Sequence, residues 1–202
     1  MIRRFPLLLL VVLLSLASAP ACASLDEEAG AFVGEQGDQL LEILGLPAGE
    51  ERRDEFAVWL TDVFNLEELA SLALGAYKAS ATEEQLDAYD VAFADYIAVT
   101  YEARFDTFTG YDFSVTRTRP MSDDEAVVRT NIVGPQGNVY VVDFRVQQGE
   151  AGPFQVTDIA VEGLSMLKTQ RDEFSAVIQR DGIDGLIEVL KDRAKEVAAS
   201  NQ

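Results

Sequence analysis

The sequence predicts an α+β domain in which helices cover one face of a four-stranded antiparallel sheet. Between Ser24 and Phe105, apolar residues recur at steps of three and four, which is the period of amphipathic helices. After Gly110, apolar and polar residues alternate through four short runs, which is the period of half-buried strands. The C-terminal segment then predicts one or two further helices. Helices and strands segregated in this way are typical of the α+β class.

Capping residues mark where the predicted helices begin. Ser24 with Glu27 fits a capping box at the start of the first helix. The next three helices begin near Glu50, at Asn65, and at either Ser80 or Thr82. The last of these is predicted to be the longest helix and to carry one continuous apolar and aromatic face: Leu86, Tyr89, Phe93, Tyr96, Ile97, Thr100, Tyr101 and Phe105.

The predicted strands form a one-sided sheet. The first strand starts with Tyr111, Phe113 and Val115 on one face, and Arg117 and Arg119 are predicted to continue that face. The other runs are 125–133, 138–147 and 154–162, joined by connections short enough for antiparallel pairing. We expect the aromatic face of the longest helix to cover the apolar side of the sheet. A twisted sheet wrapped round a helix makes a cone with an apolar cavity at its open end.

The first 23 residues have the three parts of a secretory signal peptide. Arg3 and Arg4 precede an apolar run from Leu7 to Leu16, and small residues follow up to Ala23. We expect cleavage after Ala23 and export by the general secretory route to the periplasm of a Gram-negative cell. Residues 24–202 would then form a single domain. The apolar run is about half of the roughly 20 residues that a bilayer span needs, so we expect no retained membrane anchor.

Two other interpretations of this N-terminal segment remain open. One is a lipoprotein that carries its lipid on Cys22, although Ala19-Pro20-Ala21 lacks the usual branched apolar residue. The other is a twin-arginine signal, although Arg3-Arg4 lacks the flanking pattern of that signal. Both fit the residues less well than the general secretory signal does.

The composition excludes several classes of site and ligand. The chain has no histidine, and its one cysteine lies in the predicted signal. The Ser-His-Asp and Cys-His nucleophile systems, the usual zinc sites and a histidine pH switch therefore cannot form. The net charge of −19 disfavours nucleic acid and anionic membrane surfaces, because both attract clustered Lys and Arg. We therefore expect no nucleic-acid ligand and membrane contact only through docking partners.

Acidic residues and one serine offer weak candidates for chemistry. The 123–125 run and the Asp181/Asp184 pair lack the ligand spacing of a metal loop, and Ser165 lacks the second glycine of a nucleophile elbow. Asp143 and Asp158 are expected to face solvent or to pair with Arg129 and Arg145. An isomerase or dehydratase that uses one such Asp with Tyr140 remains an alternative, as does a periplasmic adaptor with a solid core. We predict no catalytic residue, no metal site and no enzyme.

Segments along the chain also resemble a known family. The C-terminal segments are 161–167, 171–174 and 182–186, and the upstream segments are 76–85 and 93–96. In this order they resemble the MlaC family of periplasmic phospholipid-binding proteins, also described as toluene-tolerance (Ttg2-type) carriers. The resemblance covers roughly residues 30–195.

The resemblance implies a fold, a ligand and partners. It implies an NTF2-like cone that holds phospholipid tails in its pocket with the headgroup outside, and a cofactor-free carrier whose cargo is the lipid. It implies traffic between an outer-membrane MlaA-like lipoprotein complex and an inner-membrane ABC transporter with an MlaD-like MCE-domain subunit. A related branch associated with hopanoids leaves the class of lipid open.

We predict that the lipid pocket is lined by the apolar side chains on the inner faces of the longest helix and the sheet. Met166, from one of the segments that carry the resemblance, is also predicted to line it. The residues are Phe93, Ile97, Tyr101, Phe105, Phe113, Val128, Ile132, Val142, Phe144 and Met166. The same composition also suits an ordinary filled core, and periodicity cannot separate a filled interior from a hollow one.

Overall fold

Five α-helices and a five-stranded antiparallel sheet make up the part of the chain that the computed structural model describes, residues 24–47, 49–102, 110–149 and 154–200. The predicted signal peptide and Phe105 lie outside these residues. The helices are α1 (Leu25–Gly45), α2 (Glu50–Val63), α3 (Leu66–Leu74), α4 (Glu83–Glu102) and α5 (Met166–Ser200), with a 3-10 turn at Gly75–Ser80. The strands are β1 (Asp112–Pro120), β2 (Glu125–Val133), β3 (Val139–Gln148), β4 (Phe154–Val161) and β5 (Leu164–Ser165). The α+β class is confirmed.

The sheet has one strand more than the sequence predicts. Its order is β1-β2-β3-β4-β5, and β5 pairs with the end of β4 through Ala160 and Ser165. Glu162 and Gly163 reverse the chain between these strands, both with positive φ. Because β5 is two residues long, it leaves no alternating pattern in the sequence.

The predicted caps begin the helices. The Ser24 amide donates to the Glu27 carboxylate at 3.2 Å at the start of α1, and Asn65 accepts from the Glu68 amide at the start of α3. Thr82 and Gln85 exchange two hydrogen bonds at the start of α4. α4, which was predicted to be the longest helix, has 20 described residues, and α1 has 21. α5 spans 35 residues, but Gly182, with a φ of 75°, interrupts it, so α5 consists of two helices joined at a kink.

A bulge in β1 places its two arginines on the side of the sheet opposite to the predicted one. Val115 pairs with Thr130, but the next pair along the ladder is Arg117 with Arg129, so Thr116 is an extra residue. The alternation of β1 shifts by one residue at this point. Arg117 and Arg119 therefore join Arg129 on the outer face, and the prediction that they share the face of Phe113 is wrong.

The interior consists of two packed clusters. The sheet cluster joins α1 and α2 to β2, β3 and β4, and its buried residues include Val33, Trp59, Val128 and Val146. The helix cluster joins α3, α4 and α5, and it is built around Tyr89, Phe93, Phe174, Leu186 and Leu190.

The aromatic face of α4 lies mainly on α5 and not on the sheet, contrary to our prediction. The rings of Tyr89 and Phe93 each lie 6.2 Å from that of Phe174, in edge-to-face contact. Only the later part of α4, at Ile97 and Ala98, packs against the sheet cluster. The sheet is covered instead by α1, whose glycines allow the close approach described in the Discussion.

Candidate functional site

Four strand ends and the start of α5 meet at one end of the sheet. On the core-facing side the last row across the strands is Phe113, Ile132 and Tyr140. The next row is Val115, Thr130, Val142 and Val161. Val161 pairs with Leu164 of β5, so Met166 begins α5 at this same end. We call this region the open end of the sheet.

The open end exposes an unusual amount of apolar surface. Val139, Tyr140 and Leu164 are exposed to 53%, 40% and 59%, and the ring of Tyr111 lies 6.5 Å from that of Tyr140. Val139 and Tyr140 are consecutive in β3 and point to opposite faces, so apolar side chains are exposed on both sides of the sheet at this end.

The structure divides the predicted lining residues between the two clusters. Val128 is fully buried in the sheet cluster, and Phe113 and Phe144 pack against that cluster with their rings 6.1 Å apart. Phe93 belongs to the helix cluster. Ile97 packs against both clusters and therefore lies where they meet.

Among the remaining predicted lining residues, Ile132, Val142 and Met166 lie at the open end. Val142 is only 4% exposed, yet it belongs to neither cluster. Ile132 and Met166 are half-buried, Tyr101 is exposed, and Phe105 lies outside the described residues. The geometry thus brings Phe113, Val128 and Phe144 together, and leaves Phe93 in a separate, filled part of the interior.

Within the described part of the chain, Thr100 Oγ1 on α4 and Gln170 Nε2 on α5 are buried polar atoms without a hydrogen-bond partner. Thr100 lies one turn after Ile97, and Gln170 lies one turn before Phe174, so both extend the contact between α4 and α5 toward the start of α5. A threonine within an apolar stripe is the sequence signal that could have marked the first of them.

The aspartates considered for proton transfer are committed to structural contacts. Asp143 accepts two hydrogen bonds from Arg129, at 2.7 and 2.8 Å, and these hold the pKa of Asp143 below its ordinary value. The predicted Arg129–Asp143 pair is therefore confirmed. A carboxylate with a lowered pKa is a weak base, so this arrangement does not favour proton abstraction by Asp143.

Asp158 lies opposite Arg145 across strands β3 and β4, as predicted, but the ion pair of Arg145 is with Glu125, at 3.2 Å. Asp158 accepts hydrogen bonds from Ser165 Oγ at 2.6 Å and from the Leu167 amide at 3.1 Å. It therefore stabilises the first turn of α5, and Ser165 has the same role through its bond from the Lys168 amide. Among the described residues, no group of three or more acidic side chains is disposed to hold a metal ion.

None of the helices within residues 24–47, 49–102, 110–149 and 154–200 combines the length and the apolar character needed to cross a bilayer.

The comparisons with known proteins agree on one family. The family model described as MlaC protein matches residues 36–192. The chain is 25% identical over 141 residues to the intermembrane phospholipid transport system binding protein MlaC of Haemophilus influenzae, covering 68% of this chain and 66% of that protein. It is 26% identical over 126 residues to the toluene tolerance protein ttg2D of Pseudomonas putida, covering 62% and 58%. The matched region thus spans slightly less than two thirds of each relative.

A solved structure shares the fold. The phospholipid-binding protein from Ralstonia solanacearum, determined in complex with a phospholipid, superposes with a TM-score of 0.73 at 24% identity. The superposition covers 85% of this chain and 99% of that protein. Since the family model spans the interval from α1 to α5, including every strand of the sheet, this chain belongs to the MlaC family.

Proposed function

We propose that this protein is a periplasmic phospholipid carrier and the soluble component of an Mla-type transport system. Membership of the MlaC family over residues 36–192 is the observation that carries the proposal. Support comes from the Haemophilus relative, which is named as a binding protein of intermembrane phospholipid transport, and from the Ralstonia protein, whose structure contains a phospholipid.

The geometry suits an apolar cargo that enters at the open end. Ile97 lies between the two clusters, and Val142 is buried outside both, so acyl chains that part the clusters would meet apolar side chains on either side. The exposed side chains of Val139, Tyr140 and Leu164 surround the same end. We propose Ile97, Phe113, Ile132, Val142 and Phe144 as the chief contacts, with Tyr101, Val128 and Met166 as further contacts; the predicted lining residue Phe105 lies outside the described residues. Phe93 is packed within the helix cluster, so we leave it out of the proposed site.

Energetics explain why a carrier is needed. Moving one methylene from an apolar environment into water costs about 0.8 kcal/mol, so two chains of sixteen carbons cost on the order of 25 kcal/mol. Lipid must therefore pass directly between protected surfaces.

In this proposal the carrier docks to an MlaA-like complex at the outer membrane and to an MlaD-like MCE-domain subunit at the inner membrane. It needs no cofactor and catalyses no reaction. A hopanoid is the alternative cargo.

The test is native mass spectrometry of the protein purified from a Gram-negative periplasm, followed by extraction and identification of its lipid. Stoichiometric phospholipid is the expected result, and a hopanoid would assign the alternative cargo. A protein that is empty and also takes no lipid from vesicles would contradict the proposal and favour the adaptor.

A pair of variants on one helix locates the site. Ile97→Asp places a charge between the two clusters, and an unpaired buried polar group costs several kcal/mol, so we expect loss of bound lipid. Val91→Asp is the matched control, because Val91 lies on the same helix and is 64% exposed. Circular dichroism establishes that both variants are folded. A folded Ile97→Asp variant with full lipid occupancy would place the site elsewhere.

A further inference from the structure

The outer face of the sheet carries a concentration of positive charge in an otherwise acidic protein. Arg117, Arg119 and Arg129 line one depression of about 360 Å³ together with Val127 and Asp143. We call this surface the arginine face. The whole chain has 35 acidic and 16 basic side chains, yet here three guanidinium groups meet one carboxylate.

The charges of the arginine face are only partly neutralised. Asp143 is bonded to Arg129 through both of its oxygens, at 2.7 and 2.8 Å. Neither Arg117 nor Arg119 forms a hydrogen bond or an ion pair with another residue of the described chain. Arg119 acts on the same carboxylate through its charge, so three guanidinium groups share one carboxylate and the depression carries a formal charge of +2.

The backbone brings these charges together at an energetic cost. Arg117 and Arg129 are direct cross-strand partners, and like charges in this position destabilise a sheet by a few tenths of a kcal/mol. The bulge at Thr116 turns Arg117 and Arg119 to this face, and Thr116 Oγ1 fixes the bulge by donating to the Arg129 carbonyl at 3.1 Å. Arginines on the edge strand β1 could be explained by protection of that edge, because charged side chains discourage pairing with other chains. This explanation does not apply to Arg129, which lies on the inner strand β2.

We propose that the arginine face is a binding site for a phosphate-type oxyanion. Guanidinium groups donate paired hydrogen bonds that match phosphate oxygens. The two hydrogen bonds to Asp143 fix the position of Arg129. The depression, at about 360 Å³, has room for a phosphate group together with a small organic group attached to it. The site lies on the opposite side of the sheet from the core-facing rows of the open end, so it is separate from the proposed acyl-chain site and does not depend on it.

The phosphate could belong to a lipid headgroup in a membrane or to a small soluble molecule. Both present the same oxygens to the three arginines, so the chemistry is shared. A membrane source would dock this face against a bilayer, whereas a soluble source would leave the protein free in solution.

In the first measurement the protein is titrated with inorganic phosphate at low ionic strength, and binding is monitored through the NMR chemical shifts of backbone amides. We expect saturable shifts at Arg117, Arg119 and Arg129. The double substitution Arg117→Gln/Arg119→Gln is expected to weaken binding about tenfold, because two of the three charged donors are lost. The control Arg180→Gln/Arg193→Gln removes the same charge from exposed positions of α5, and its affinity should stay within about twofold of wild type.

Vesicles separate the two sources of phosphate. Sedimentation is measured with phosphatidylcholine vesicles and with vesicles that contain about one quarter phosphatidic acid. A lipid headgroup is assigned if the protein binds only the vesicles with phosphatidic acid, and if this binding is lost in Arg117→Gln/Arg119→Gln but not in the control. A soluble ligand is assigned if phosphate binding is saturable and no vesicle is bound. Equal loss in both double variants, or no saturable binding of either probe, would overturn the proposal. Lipid that copurifies in the apolar site is unaffected by these substitutions, so failure here is distinct from failure of the carrier function.

Discussion

The ring of Phe113 on β1 lies directly against the backbone of Gly37 on α1. A Cβ atom built on Gly37 would come within 2.8 Å of Phe113 Cζ and closer still to two other atoms of the ring. Gly30 is similarly close to Thr118, with a Cβ-to-Oγ1 distance of 2.8 Å. The glycines of α1 therefore let this helix approach β1 closely, and they place α1 in the position on the sheet that the sequence pattern assigned to α4.

Gly37→Ala should destabilise the protein by on the order of 1–3 kcal/mol, because the added methyl overlaps the Phe113 ring and forces α1 or β1 to move. Gly34→Ala is the matched control in the same helix. There the new Cβ would lie 3.8 Å from Val115, an ordinary contact, so better helix propensity should stabilise by up to about 1 kcal/mol. Urea unfolding measures both. Equal stability of the two variants would show that α1 does not approach β1 closely at Gly37.

Thr100→Val should stabilise the lipid-free protein by about 1 kcal/mol, because it removes a buried hydroxyl that has no partner and keeps the shape of the side chain. Thr130→Val makes the same chemical change at a fully buried hydroxyl that donates to the Val142 carbonyl at 3.0 Å. That variant should lose about 1 kcal/mol. The two changes in the free energy of unfolding, measured on delipidated protein, should have opposite signs. A loss of stability in both would mean that the Thr100 hydroxyl has a partner in solution.

Tyr89 should make the protein sensitive to alkaline pH. Its hydroxyl is buried and donates to the Ala70 carbonyl at 3.0 Å, and burial, together with the negative charge of Asp90, raises the pKa of Tyr89 well above its ordinary value of 10.0. The unfolded chain can lose this proton above that pH, whereas the folded chain retains it. The stabilisation is therefore complete at lower pH and is lost as the pH rises beyond about 10.

Tyr89→Phe tests this linkage. At neutral pH it should cost about 1 kcal/mol through loss of the hydrogen bond. Between about pH 9 and 11 its stability should fall less steeply than that of wild type, because one linked proton is gone. Parallel stability curves for the two proteins over that range would show that Tyr89 ionises equally in both states.

Local patterns determined the class of fold and the boundaries of its elements. Capping residues such as Ser24 and Asn65 act on backbone groups within four residues, so the sequence placed the starts of α1 and α3 correctly. Alternation likewise identified β2, β3 and β4, because side chains that point to one face recur at every second residue. The sequence also indicated the family, through short segments that lie between the 3-10 turn and α5.

Tertiary contacts decided the rest. The bulge at Thr116 exists because β1 pairs with β2 in a shifted register, and a period of two within β1 alone cannot reveal that. The choice between α1 and α4 as cover for the sheet depended on how closely each helix could approach, which Gly30 and Gly37 settle through contacts with Thr118 and Phe113. Phe93 and Ile97 lie one turn apart on a single apolar stripe, yet they have different surroundings. Apolar periodicity shows that a side chain is buried, whereas only the packing of whole elements determines what surrounds it.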